Sequence, residues 1–169
     1  MERASFAEMD CPIARAVDEV GEGWTLLVLR EAFKGSSTFS EFQSRLPIAP
    51  TTLTRRLEQL TERGFFERRT YQRRPPRERY TLTEKALGLL PILVALGDWG
   101  NRWLAPEGPL LEIVDAESGT PMEVTVVDRR TGRPLRPGRI GLLAGPGAKK
   151  EMREALQRPL VLGGDPRRS

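Results

Sequence analysis

Apolar positions recur at helical spacing through most of the first hundred residues, and in short strand-like runs after that. Residues 11–20, CPIARAVDEV, put Ile13, Ala14 and Val17 on one helical face with Val20 a turn further on, and Pro12 suits a first helical turn. Gly21 and Gly23 interrupt the pattern. Residues 24–33, WTLLVLREAF, are nearly all apolar and predict a buried helix that ends at Lys34-Gly35-Ser36-Ser37. Thr38 or Ser40 can cap the next short helix, SEFQSRL, whose apolar positions are Phe39, Phe42 and Leu46. After the tight turn Pro47-Ile48-Ala49-Pro50, the segment TTLTRRLEQLTERG repeats Leu53, Leu57 and Leu60 at i, i+4, i+7 as one stripe. The opposite face is expected to hold Thr52, Arg55, Arg56 and Gln59, and Gly64 to end the helix.

Two strand-like runs, FFERRTYQ and RYTLT, flank RRPPRE and predict a β-hairpin with a Pro/Arg loop. A long helix is expected from Thr83-Glu84-Lys85 to about Leu104, bent at Pro91 and apolar at Leu87, Leu90, Leu93, Val94, Leu96, Gly97, Trp99 and Trp103. Beyond Pro106, LLEIVDAESGTP, MEVTVVDRRTGRPL and RIGLLAGPGA suggest short strands joined by turns such as SGT and TGR, with KKEMREALQ as a terminal helix. The expected organisation is an arm at 1–10, an α+β core domain at 11–104, a small β-rich appendage at 107–158 and a flexible tail at 159–169.

Charge sharpens this picture. The net charge is only +4, but residues 1–44 carry a net −4 and residues 45–79 a net +6, and every cation in the second segment is arginine. Arginine's planar fork suits phosphates and guanine edges, so this stripe points to a polyanionic partner; charge alone fits a solvated surface equally well. The chain has no histidine and a single cysteine, Cys11, which removes a histidine base, a catalytic triad, an intrachain disulfide and a cysteine-based zinc site. An enzyme is therefore not expected, and no cofactor. No apolar run reaches the roughly 18 residues of a membrane span, and the N-terminus lacks a signal-peptide pattern, so the expected compartment is the cytoplasm.

Two short helices joined by a Pro-bearing turn, followed by an Arg-rich hairpin, have the layout of a winged helix-turn-helix. The leucine stripe would seat the second helix while its outer face enters a major groove of double-stranded DNA and the hairpin lays arginines on flanking phosphates. Thr51, Thr52 and Thr54 are short hydroxyls near the helix start, Arg55 and Arg56 can reach bases or backbone, and at least one of these is expected to face the core or its own backbone. In the hairpin, Arg73, Arg74, Arg77 and Arg79 surround Pro75-Pro76, which would stiffen the loop. A winged helix that binds protein instead of DNA remains the alternative.

Taken together, the opening CP, GxxWTLLVLRE, F-x-x-F with LP, TLTRRLxxL, GFFERR, PPRxxYTLT and LLPIL are far more specific than any one motif. From Cys11 to about Trp103 the chain resembles the HxlR family of bacterial and archaeal transcriptional regulators. The resemblance implies a homodimeric winged helix on a palindromic operator. The first helix, through Ile13 and Val17, and the last, through Leu96, Trp99 and Trp103, would supply the dimer surface. Ala49 departs from the family, which often has a serine there to cap the recognition helix; the loss costs roughly 1 kcal/mol.

Some members of the family sense oxidants or electrophiles through a cysteine at the CP position, which makes Cys11 a candidate sensor and a small-molecule effector a candidate partner. A helix N-terminus attracts negative charge, while the adjacent Asp10 repels it. With one cysteine per chain, oxidation would need the Cys11 of a second copy or a small thiol. A half-buried structural residue is the other reading. The appendage resembles the small cysteine-bearing ribbon of some family members, with DRRTGRPL where a CxxCGxxL knuckle would stand and GPGA at 145–148. Asp128 and Thr131 occupy the cysteine places, so such a module must fold without zinc; a generic β-rich appendage fits as well.

Overall fold

The computed structural model describes residues 5–74 and 76–163; Pro75, the side chains of Arg73 and Pro76, the first four residues of the expected arm and the end of the expected tail lie outside the described set. The chain divides between Gly97 and Asp98 into two compact units, upstream of the expected boundary at 104–107.

The first unit contains α1 (Pro12–Val20), α2 (Gly23–Phe33), α3 (Phe39–Arg45), α4 (Pro50–Glu62), β1 (Phe66–Arg73), β2 (Pro76–Leu82) and α5 (Glu84–Leu87), and α6 (Leu90–Leu104) runs on from it. Each helix begins where the local chemistry allows. Pro12 and Pro50 open α1 and α4, where no intrahelical N–H is needed. Between the two candidate caps for α3, Thr38 is the one used: its hydroxyl accepts from the Glu41 N–H while the Glu41 carboxylate accepts from the Thr38 N–H at 2.9 Å, a capping box. Backbone donors from Ser37 and Thr38 hold the Glu41 carboxyl below its ordinary range.

Several expectations are corrected. The hairpin strands extend through Arg73 and resume at Pro76, so RRPPRE is mostly strand. Pro76 opens β2 at the end of the ladder, where a missing N–H is tolerated. The long helix from Thr83 is two: Gly88 and Leu89 separate α5 from α6, and Pro91 falls in the first turn of α6 instead of bending one continuous helix. Phe39 is exposed.

The core gathers Val28 and Leu29 of α2, Phe42 of α3, Leu53, Leu57 and Leu60 of α4, and Phe65, Phe66, Tyr80 and Ala86 from the wing and α5. Each of the α4 leucines is essentially fully buried, worth roughly 1.5–3 kcal/mol apiece as an upper estimate. Arg56 is the principal correction to the sequence reading. It is only 6% exposed, not opposite the leucine stripe. Helical spacing gives the reason: it stands three residues after Leu53 and four before Leu60, on their side of α4. Its guanidinium forms an ion pair with Glu22, the residue that precedes α2, and donates to Gln59 Oε1 at 2.9 Å.

The second unit is built differently. β3 (Ile140–Leu142) pairs antiparallel with β4 (Leu160–Leu162), and α7 (Lys150–Ala155) lies between them in sequence. β4 falls inside the segment expected to be a tail. The other expected strands are reduced to single bridges, Val114 with Pro121 and Val127 with Pro134. Those bridges close two copies of one turn, VDAESGTP and VDRRTGRP. Asp115 Oδ1 accepts from Ser118 Oγ at 2.8 Å and from two backbone N–H groups. Asp128 Oδ2 accepts from Thr131 Oγ1 at 2.8 Å, and Oδ1 from the Arg130 N–H. The glycine that follows, Gly119 or Gly132, has φ of 69° or 67° and donates to the aspartate carbonyl at 2.8 Å in both copies. Where the resembling ribbon has cysteines, Asp128 and Thr131 are joined by a hydrogen bond.

Two outcomes are expected. Arg56→Ala should destabilise the chain by about 1–3 kcal/mol, since it deprives Glu22 of its guanidinium partner, whereas Arg55→Ala should stay within about 0.5 kcal/mol; thermal melting of both variants checks this. In the second unit, hydrogen bonds to the charged form hold Asp115 and Asp128 below the ordinary aspartate range. Their contribution is full above the ordinary value and is lost as pH falls through the depressed one. Protection of the amides at 115–122 and 128–135, taken relative to intrinsic exchange at each pH, should therefore hold through mildly acidic pH and fall only below the ordinary aspartate range, and Asp128→Ala should lower it at 128–135 at neutral pH.

Candidate nucleic-acid interface

Because the leucines and Arg56 hold one side of α4, the other side is fixed by default. Thr51, Thr54, Arg55 and Glu58 are exposed there, and Thr52 is half-buried at the edge. Arg55 makes no ion pair among the described residues. Thr54 Oγ1 donates to the Pro50 carbonyl at 3.0 Å, so its hydroxyl proton is turned to its own backbone.

The wing is tied to this helix pair in two ways. The rings of Phe42, Phe66 and Tyr80 form a triangle with centroids 5.9–6.4 Å apart, in tilted or edge geometry. The Tyr80 N–H donates to the Ser37 carbonyl at 2.7 Å, and Thr38 bridges Arg79, which joins β2 to the approach of α3. Burial, and then the charge of Glu78, push the Tyr80 hydroxyl above its ordinary pKa, so it stays a donor, to Glu78 Oε2 at 3.3 Å.

Strand alternation sorts the wing's charges. Glu78 faces Arg68 and Tyr80, whereas Arg77 and Arg79, on either side of it, point the other way and are exposed. Arg74 is exposed in the turn, and the backbone of Arg73 ends β1. A bulge between Thr70 and Gln72 turns out Tyr71, and the Arg79 guanidinium lies 5.3 Å from the centre of its ring. Between α4 and the wing runs a groove of about 650 Å³ lined by Thr38, Phe39, Ser40, Thr54, Tyr71, Arg77, Glu78 and Tyr80. In the sequence Ser40 reads as a candidate cap and Phe39 as an apolar helix position, neither as part of a groove, and Tyr71 carries no expected role. An exposed aromatic amid arginines in a hairpin was the available signal for Tyr71.

Not all of the arginine stripe faces outward. Arg56 is buried, Arg63 donates to the Asp18 and Glu19 carbonyls at 2.7 and 2.9 Å, and Arg68 and Arg69 pair with Glu78 and Glu67. Elsewhere, Ile13, Val17, Leu96, Trp99 and Trp103 are exposed in the single chain, by 41–69%. Cys11 is a half-exposed free thiol at the N-cap of α1 and makes no side-chain cap bond. Among the described residues no cluster of side chains could hold a metal ion, and no helix is long and apolar enough to cross a membrane.

The profile of the HxlR-like helix-turn-helix family matches residues 19–108. A Mycobacterium tuberculosis protein, the uncharacterized HTH-type transcriptional regulator MT3179, is 36% identical over 141 residues, covering 83% of this chain and 89% of the relative. The crystal structure of PA1607, a candidate transcription factor, superposes with a TM-score of 0.70 at 35% identity over 79% of this chain and 94% of that one. The reduced form of the redox regulator HypR matches over 57% of this chain and 99% of its own, with 30% identity and a TM-score of 0.52. The chain is thus a winged helix-turn-helix protein and belongs to the HxlR-like helix-turn-helix family of transcriptional regulators.

Proposed function

We propose that this regulator binds double-stranded DNA as a homodimer on a palindromic operator, on the chromosome in the cytoplasm, and that its work is recognition and not catalysis. One observation carries the reading: Thr54, on the outward face of α4, and Arg77 of the wing line one groove, and Arg55 and Arg79 are exposed on the same two elements. Thr51, Thr52 and Arg55 would face base edges or nearby phosphates, Thr54 would contribute its methyl group and oxygen, and Arg73, Arg74, Arg77 and Arg79 would take flanking phosphates. Arg56 leaves the contact set and becomes the residue that holds α4 in orientation. The exposed faces of α1 (Ile13, Val17) and α6 (Leu96, Trp99, Trp103) would meet those of a second copy, since apolar stripes of this size are seldom left in water.

A response to oxidants is the second reading, favoured by the likeness to the redox regulator HypR and by the half-exposed thiol of Cys11. Non-reducing electrophoresis after diamide treatment should then show a disulfide-linked dimer that Cys11→Ser abolishes; an unchanged monomer band, with unchanged DNA affinity, removes this reading.

For the DNA reading, genomic fragments retained by the protein supply the operator. Arg55→Ala should weaken operator binding at least about tenfold while the melting temperature holds. Arg74→Ala with Arg77→Ala should weaken operator and random DNA by similar factors and make the slope of log affinity against log salt shallower by about one to two. Loss of operator binding alone would mean that the wing reads bases. No DNA affinity at any salt would leave the protein-interaction reading standing.

A further inference from the structure

Residues 129–139, RRTGRPLRPGR, hold arginine at five of eleven positions and no carboxylate, a charge of +5 against +4 for the whole chain. All five, Arg129, Arg130, Arg133, Arg136 and Arg139, are exposed, and among the described residues no ion pair or side-chain hydrogen bond engages any of their guanidinium groups. In the first unit, Arg56, Arg68 and Arg69 pair instead with Glu22, Glu78 and Glu67. The turn does not require these arginines. Its other copy, VDAESGTP, closes with the same aspartate–hydroxyl and glycine–carbonyl bonds, yet has Ala116, Glu117 and Thr120 where Arg129, Arg130 and Arg133 stand. Cations crowded without counter-charges repel one another, and a bound polyanion removes that cost.

The backbone gathers three of the five about one cavity. The Asp128 N–H donates to the Arg133 carbonyl at 2.9 Å, the Arg139 N–H to the Arg136 carbonyl at 3.1 Å, and the Gly138 N–H to the Leu162 carbonyl at 2.7 Å. Gly138, at a φ of 77°, makes the bend that leads into β3. Arg133, Arg136 and Arg139 thus line a cavity of about 210 Å³ together with Asp128 and Thr131. The one carboxylate there is already engaged, its Oδ2 by the Thr131 hydroxyl and its Oδ1 by the Arg130 N–H, so it serves the turn and leaves the arginines unpaired. We infer that this cluster is a second DNA contact surface, which takes backbone phosphates of the duplex that the winged helix binds. Arginine's planar fork fits phosphate oxygens, and a backbone fixed by hydrogen bonds and by Pro134 and Pro137 loses little freedom on docking. Duplex DNA is the polyanion because the winged helix tethers it to this chain, which makes the second engagement intramolecular. The inference rests on the DNA reading and goes beyond it, since a winged helix alone would suffice to bind an operator.

The test uses the full-length chain and two duplexes of equal length, one carrying the operator and one of random sequence. Arg133→Gln with Arg136→Gln and Arg139→Gln should weaken binding to both by similar factors, about tenfold or more at about 0.1 M salt, and make the slope of log affinity against log salt shallower by about two to three. Lysine at the same three positions should keep most of that slope. Lys150→Gln with Arg153→Gln and Arg158→Gln removes as many cations from the same unit, none of them lining the cavity, and should leave affinity and slope unchanged. Unchanged binding by the first variant, or an equal loss in the second, overturns the inference. Should the first variant fail to fold, phenylglyoxal modification of the unmodified protein decides: Arg133, Arg136 and Arg139 should react when it is free and be shielded in the saturated complex, and equal reactivity in both overturns the inference. A wild-type protein with no DNA affinity at any salt sinks the DNA reading itself, and the inference with it.

Discussion

The rotational setting of α4 about its own axis is the constraint on which the rest depends. Three leucines at i, i+4, i+7 define a stripe, but a stripe alone lets a helix roll by some tens of degrees. The ion pair of Arg56 with Glu22 fixes the edge of that stripe on the α2 side. With it in place, Thr51, Thr54 and Arg55 have only solvent to face. The side chains available to DNA are thus chosen by the core.

The wing inherits its position from the same core. Phe42 belongs to α3, Phe66 to β1 and Tyr80 to β2, so the aromatic triangle joins the helix pair to both strands of the hairpin. The Ser37–Tyr80 hydrogen bond then limits how far β2 can swing. A groove of defined width between α4 and the wing follows from these contacts. Arginines placed on a rigid ribbon lose less freedom on docking than arginines on a loose loop, and the extension of both strands nearly to the turn serves that end.

Much of this was legible because it depends on local pattern. The leucine stripe, Pro50 at the start of α4, the hairpin and the α+β winged layout all follow from spacing and turn chemistry. Arg56 was misplaced because its charge outweighed its position in the reading; counting three from Leu53 and four back from Leu60 puts it on the buried side, and only a partner distant in sequence, Glu22, makes that burial tolerable. The strand status of Arg77 was hidden by two prolines, which look like loop until pairing at the end of an edge strand accounts for one of them. The break at Gly88 depends on how α5 packs, through Ala86, against the wing. In the second unit the repeated Asp-x-x-Ser/Thr-Gly turn was present in the sequence, but without a cysteine or histidine it carried no familiar chemical signature.

The core of the first unit exposes Arg55 and buries Arg56, so on the proposed DNA reading only Arg55 meets the groove. Modification by phenylglyoxal, mapped by mass spectrometry with and without bound operator, reads this residue by residue. Arg55 should react in the free protein and be shielded in the complex, while Arg56 should be unreactive in both. Arg55 remaining equally reactive in a saturated complex, or Arg56 reactive in the free protein and shielded by DNA, would contradict it.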